Sequence, residues 1–320
     1  RKNSMEFIAK KEAFEQRLPE IYERVVLKFS GIDGYDVYNC SIPFVYNGKK
    51  YIFGRVEKRD VWADSSVMMF FEKEPDCFTA MPETVLYPLE DPFICRFNNE
   101  WVLGGVHVVK SADQIKYGST YFYKGTDPFE RHYFTTGPKG MKDIRISGFE
   151  NKLAVLTRPE GQVGFTLLNS VDEITEENLQ KAAIIDLVGR GGDVGVNQAI
   201  PLKTGLIALI GHDSYSYPDT DDWYSQNHIY SVTASVFDPK TGEIIMNEIL
   251  ATRKCFLPDT PEKVLTSGIK MSDVVFPSGI LLRADGRIDL YAGVSDACMQ
   301  RIVIDNPFKD CLLYTSDAAD

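Results

Sequence analysis

The chain lacks most of the short motifs that mark common enzyme chemistries. Its 320 residues contain no Gly-x-Gly-x-x-Gly, no P-loop Gly-Lys-Ser/Thr and no His-Glu-x-x-His, so dinucleotide, nucleotide and zincin readings fail. No Gly-x-Ser-x-Gly elbow offers a hydrolase serine. The glycine-rich stretch GRGGDVG, residues 189–195, leads into a strand rather than a helix and reads as a connecting loop. No Lys/Arg cluster interrupts a net charge of −11, which argues against nucleic acid as a partner. No apolar run nears the roughly eighteen residues of a membrane span. Cysteine is scarce and scattered, with no Cys-x-x-Cys pair, so neither a zinc site nor a disulfide framework is expected. Reduced thiols in a cytoplasmic protein are the plain reading.

The two ends stand apart. The chain opens on RKNSM rather than on an initiating Met and reads as a fragment, which leaves an earlier leader open. The last ten residues, CLLYTSDAAD, read as a translated sequencing-library adapter, so Cys311 to Asp320 are set aside as non-native. Residues 1–28 read as a helix followed by a closing strand. The helical spacing covers 5–24 with Pro19 interrupting it, and poor anchoring is expected.

What is present is a register. Asn39, Asp91, Asp143, Asn197 and Asp273 each stand just before a run of apolar strands, at steps of 52, 52, 54 and 76 residues. A period of about fifty residues with several short strands in each predicts a β-propeller. The expected architecture is therefore all-β: one five-bladed propeller domain over residues 29–310. Asn47-Gly48, Asn98-Asn99 and Asp285-Gly286 mark hairpin turns. The segment 172–183 (DEITEENLQKAA) predicts one rim helix. RVVLKFSGI, following the N-terminal helix, predicts a strand that completes the last blade and removes its free edge.

In such a ring the innermost strands start near one funnel, and the second strand of each hairpin ends at the same rim. The funnel is thus expected to collect Asn39, Arg55, Glu57, Glu90, Asp91, His107, Asp143, Arg145, Arg158, Asn197, His212, Asp273 and Asp296. Opposed carboxylates among Arg and His suit glycosyl transfer, in which a protonated acid serves the leaving oxygen and a second group activates the nucleophile or stabilises an oxocarbenium-like centre. Neighbouring charges and burial split such carboxyls into different roles. Plainer readings stand beside these. Asp91 before Pro92 also reads as a strand initiator. Asp143 and Arg145 also read as a surface pair two apart on one strand face. Asn39, Asn197 and Asp273 equally suit hydrogen bonds between blades. The long loop 213–228 places Trp223 or Tyr224 for stacking on a sugar, or for packing the loop onto the ring. Trp62 is a weaker candidate of the same kind. A Ca²⁺ on the axis is compatible with the carboxylates, but no ligand spacing calls for one, so no cofactor is expected.

EDPF at 90–93, a following Gly-Gly strand and KDIR at 142–145 resemble the five-bladed propeller glycosidases and phosphorylases: arabinanases, fructosidases and β-mannoside phosphorylases. The set DVYNCSIPF, LEDPFI, GPKGMKDIRI, LTRPEG, GVNQ, IGHD, SDVVFPSGI and YAGVSDA, from Asp36 to Phe308, is similar to a bacterial family of unknown function related to glycosidases. The resemblance implies an acidic residue from each of the first three blades. Asp91 or Glu90 and Asp143 fill the second and third, but Asn39 stands in the first. That departure weakens the arabinanase scheme and implies kinship with phosphorylases, whose nucleophile is phosphate; Arg55, Arg145, Arg158 and His212 would hold it. The main expectation is nonetheless an inverting glycoside hydrolase, with Asp143 as general acid and Asp91 and Glu90 tuning it or binding sugar. A phosphorylase and a non-catalytic carbohydrate-binding propeller are the alternatives.

Overall fold

A computed structural model describes residues 2–112, 114–187, 193–217 and 227–309. The protein is all-β, with helices among the described residues confined to Lys2–Gln16 and Glu176–Gln180 apart from short 3₁₀ turns. Strand pairing divides it into sheets of eight, six, four and four strands. The four-stranded sheets are antiparallel meanders, one over Glu90–Phe97, Glu100–Ser111, Gln114–Gly125 and His132–Thr136, the next over Arg145–Phe149, Lys152–Thr157, Val163–Leu168 and Ala183–Ile185. The eight-stranded sheet joins two such meanders, starting at Asp193–Pro201 and Asp273–Leu282, through one short parallel contact of Ile229 and Tyr230 with Asp273 and Val274.

Neighbouring sheets bury each other's faces. Phe93, Phe97 and Phe122 pack with Ile144, Ile146 and Leu153, and Leu156 and Val163 pack with Val196, Leu209 and Phe237. Strands covered on both faces cannot alternate apolar with polar, and Cys298–Ile304 is accordingly buried at every position. Two of the three expected turns form as two-residue hairpins: Asn47 and Gly48 have φ of 49° and 74°, and Asn98 and Asn99 of 48° and 63°, whereas Asp285-Gly286 lies in a longer turn closed by Arg283 and Arg287. Adjacent positive φ values match the right-handed strand twist.

The single N-terminal strand expected over RVVLKFSGI is two strands. Glu23–Val26 pairs with Cys298–Ile304, and Lys28–Ser30 then runs parallel to Cys77–Leu86. One segment thereby ties the last sheet to the first. Arg301 reinforces the seam by holding Asp76, Glu23 and Asp289 at 2.8–3.1 Å. The helix before it is anchored, contrary to expectation: Phe7 is fully buried against Tyr215 and Lys11 pairs with Asp273. The rim helix is shorter than 172–183. A 3₁₀ turn at Val171–Glu173 precedes the five-residue helix, which Thr175 caps through the Asn178 N–H.

Candidate active site

The register residues reach the centre because the backbone is bent there. Asn39, Asp91 and Asp143 adopt φ of 45°, 51° and 55°, a left-handed conformation sparsely occupied by residues with a Cβ and often retained at functional sites. Asp91 also lies in a bulge between Glu90 and Phe93, and Asn197 in one between Val196 and Gln198. A bulge re-aims a side chain out of the regular alternation. Asp273 has neither feature. It pairs with Lys11 at 2.9 Å and stays outside the cavity; the equivalent bulge of the last meander holds Ser278, between Pro277 and Gly279. The 76-residue step therefore marks a register displaced by a few residues.

The cavity so formed has a volume of about 480 Å³ and is lined by Asn39, Arg55, Trp62, Glu90, Asp91, Lys142, Asp143, Arg158, Asp193, His212, His228, Tyr230 and Asp296, among others. Arg55 organises one wall. Its guanidinium meets Asp91 at 3.0 Å, Glu90 at 3.1 Å and Glu57 at 3.2 Å, donates to Ser65 at 2.7 Å, and lies 4.7 Å from the Tyr38 ring centre. Asp91 Oδ1 accepts from both Arg55 and Asn39 Nδ2, each at 3.0 Å. Glu57, expected among the substrate contacts, is fully buried behind Arg55 and does not line the cavity. It accepts from Tyr38, Ser65, the Asp64 N–H and the fully buried Lys263, whose ammonium also donates to Val61 O and Lys58 O. Burial opposes its charge, but Arg55 and Lys263 overcome that and bring its carboxyl down to about 2.

Three of the carboxyls that line the cavity are held in different states. Burial pushes Glu90 up to about 7 against the attraction of Arg55 and Lys142. Burial likewise pushes Asp296, which accepts from Trp62 Nε1 at 3.2 Å, up to about 6. Asp143 goes the other way: Arg158 and Arg145 outweigh its burial and hold it below its ordinary value. Asp143, expected as general acid, is in contact with Arg158, and a carboxyl held ionised in this way is poorly suited to give a proton. Arg158 binds both Asp143 and, at 2.6 Å, Asp193.

His212 Nδ1 lies 2.8 Å from Asn197 Oδ1. An amide oxygen only accepts, so Nδ1 carries the hydrogen. Burial, with Arg158 nearby, lowers His212 to about 4; the ring is neutral and Nε2 is an acceptor. Asn39 Oδ1, Asp143 Oδ1, Asn197 Nδ2 and His212 Nε2 are buried without hydrogen-bond partners among the described residues. Arg145 and Asn197 line a smaller cavity of about 160 Å³ on the other side of Asn39 and Phe276. His107 does not reach the site; it stacks on Tyr121 at 4.5 Å and contacts Pro88 O. Trp223 and Tyr224 lie outside the described residues. Lys142, Asp193, His228, Tyr230, Tyr38 and Lys263 were missed. Lys142 and Tyr38 sit inside KDIR and DVYNC, strings searched chiefly for carboxylates and amides. Among the described residues no group of three or more His, Cys, Asp or Glu is placed to hold a metal.

The structural relatives support an enzyme of the glycosidase or glycoside phosphorylase class. The chain belongs to the family described as "Protein of unknown function (DUF1861)", which it matches over residues 12–310. It is 43% identical to a mannose phosphorylase from Leishmania mexicana solved with a phosphate ion, over 96% of this chain and 95% of that one, with a TM-score of 0.86. It is 39% identical to a GDP-Man-dependent mannosyltransferase from the same organism, over 94% of each chain, with a TM-score of 0.84. A β-1,2-mannobiose phosphorylase from Listeria innocua shares the fold at 16% identity, over 85% of this chain and 91% of that one, with a TM-score of 0.61. No curated protein matches the chain. No helix among the described residues is long and apolar enough to cross a membrane.

Proposed function

We propose that the protein is a mannoside phosphorylase: inorganic phosphate attacks the anomeric carbon of a β-mannoside with inversion, the glycosidic C–O bond breaks, and the leaving oxygen takes a proton from the enzyme. The observation that carries this reading is a carboxyl poised near neutrality in the same cavity as a cationic wall. Glu90 at about 7 is matched to general-acid work at neutral pH. Asp91 beside it is positioned by Arg55 and Asn39, and Glu90 delivers the proton. Lys142 and Arg158 line the cavity with Arg145 behind them, and guanidinium groups suit phosphate oxygens.

The partnerless atoms fit the sugar rather than the phosphate. A phosphate dianion needs donors, whereas His212 Nε2, Asn39 Oδ1 and Asp143 Oδ1 accept. Sugar hydroxyls both donate and accept. These atoms form a subsite for the mannosyl ring. Asp143 is then a sugar-binding carboxylate, Glu57 and Lys263 position Arg55, and Asp296 borders the pocket. This chemistry needs no cofactor. The five antiparallel meanders support five blades in one domain over residues 29–310. Among the described residues five thiols are free, Cys40, Cys77, Cys95, Cys255 and Cys298, which suits a reducing compartment such as the cytoplasm.

The hydrolase expected from sequence is less well supported, since the 43% identical relative is named a phosphorylase. Transfer from GDP-mannose is a second reading, favoured by the 39% identical mannosyltransferase. The test is a panel of β-1,2-, β-1,3- and β-1,4-linked mannobioses with and without inorganic phosphate, alongside GDP-mannose with mannose. Mannose 1-phosphate formed only with phosphate supports the proposal. Phosphate-independent release of mannose establishes a hydrolase, and turnover of GDP-mannose alone establishes a transferase; either refutes it.

A further inference from the structure

A second groove shares a wall with the candidate site. Residues 61–64 form that wall: Trp62 and Ala63 line the site cavity, while Val61 and Asp64 line a groove of about 600 Å³ on its other side. The wall is fixed from beneath, where Lys263 donates to Val61 O and Glu57 accepts from the Asp64 N–H. Ala63 has φ of 58°, a conformation unfavourable for a residue with a Cβ.

Tyr35 and Tyr87 line the groove and stand 45% and 67% exposed. Neither ring is spent on the core. Tyr87 donates to Asp64 Oδ1 at 2.7 Å, and Lys58 Nζ lies 5.9 Å from the Tyr35 ring centre, so both rings are steered by polar neighbours. Tyr87 is three residues ahead of Glu90 on the same chain segment. Exposed tyrosines offer a rigid apolar face at low entropic cost. Asp33, Asp64 and Lys58 add hydrogen-bonding groups of both signs around them. That mixture suits a neutral, hydroxyl-rich chain better than an anion or an apolar peptide.

We propose that this groove binds the distal sugars of a mannooligosaccharide whose terminal linkage sits in the candidate site, so that the protein favours chains of three or more sugars. The proposal rests on the glycoside reading of that site. It predicts a length dependence that the site cavity alone would not produce.

The test compares di-, tri- and tetrasaccharides of the linkage turned over, in the wild type, Tyr35→Ala, Tyr87→Ala and the double variant. Wild-type kcat/KM is expected to rise with length through a falling KM. Each substitution should remove about threefold to tenfold of the tetrasaccharide's advantage and leave the disaccharide unchanged. Absence of length preference in the wild type, or equal losses on short and long chains, overturns the proposal. Affinity electrophoresis in mannotetraose-bearing gels separates this outcome from failure of the reaction itself. Retardation lost in the double variant but kept in Glu90→Gln supports the groove even without phosphorolysis, and equal retardation of the double variant and the wild type overturns it.

Discussion

Replacing Glu90 with Gln should abolish most activity and yet stabilise the protein at alkaline pH. Glu90 is 7% exposed, and burial raises its carboxyl from 4.5 to about 7. Between those values the folded state holds a proton that the unfolded chain has released. Stability therefore falls as pH rises through this window, and is fully reduced above about 7. The difference corresponds to about 3 kcal/mol. Gln keeps the size and remains neutral, so the variant should match or slightly trail the wild type at pH 4 and exceed it by up to about 3 kcal/mol at pH 8. Urea unfolding at both pH values measures this as a midpoint gain on the order of 1 M at the alkaline end. Asp296, raised to about 6 by the same cause, adds a parallel slope to both proteins and cancels from the comparison. Activity should fall about 10²- to 10⁴-fold, as for loss of a general acid. The wild-type kcat/KM should decline above about pH 7 as the carboxyl loses its proton. A variant equally stable relative to wild type at both pH values would show that Glu90 is ionised in the fold. A variant that keeps its activity would remove it from the proton pathway.

Lys263→Met should destabilise the protein by about 3–5 kcal/mol by leaving Glu57 with one fewer buried partner, and Arg55 should lose its alignment; urea unfolding and KM together register both. Gly293→Ala should lower activity more than stability, because its Cβ would lie 2.0 Å from Asn39 Oδ1 and displace the residue that holds Asp91; kcat on mannobiose against the urea midpoint separates the two. Arg158→Met should raise KM for phosphate and let Asp143 titrate closer to the ordinary carboxylate range, seen by carboxyl NMR titration. His212 near 4 should remain neutral throughout pH 6–8, so an imidazole titration at pH 6–7 by NMR would refute the acceptor role given to Nε2.

How much of this was legible follows from the range over which each interaction acts. Strand runs, Asn-Gly turns and the spacing of Asn39, Asp91, Asp143 and Asn197 are local or periodic properties, and the sequence by itself determined that these four residues would fall in or beside an early strand of successive meanders. It also determined which residue types would meet, since Arg55, Glu90, Arg158 and Asp296 sit at or near strand ends facing the same rim, whereas His212 lies mid-strand in Ile207–Tyr217. Asp273 went astray because periodicity cannot tell a bulged strand start from a straight one: the bulge lies at Ser278. His107 went astray because its ring stacks on Tyr121 of the neighbouring strand rather than turning into the cavity. Only the tertiary structure decided the charge states. Whether Asp143 or Glu90 holds a proton depends on which arginine touches which carboxylate and on how deeply each is buried. Those distances are set by chain segments up to 206 residues apart, as between Glu57 and Lys263, and no reading of neighbours along the chain contains them.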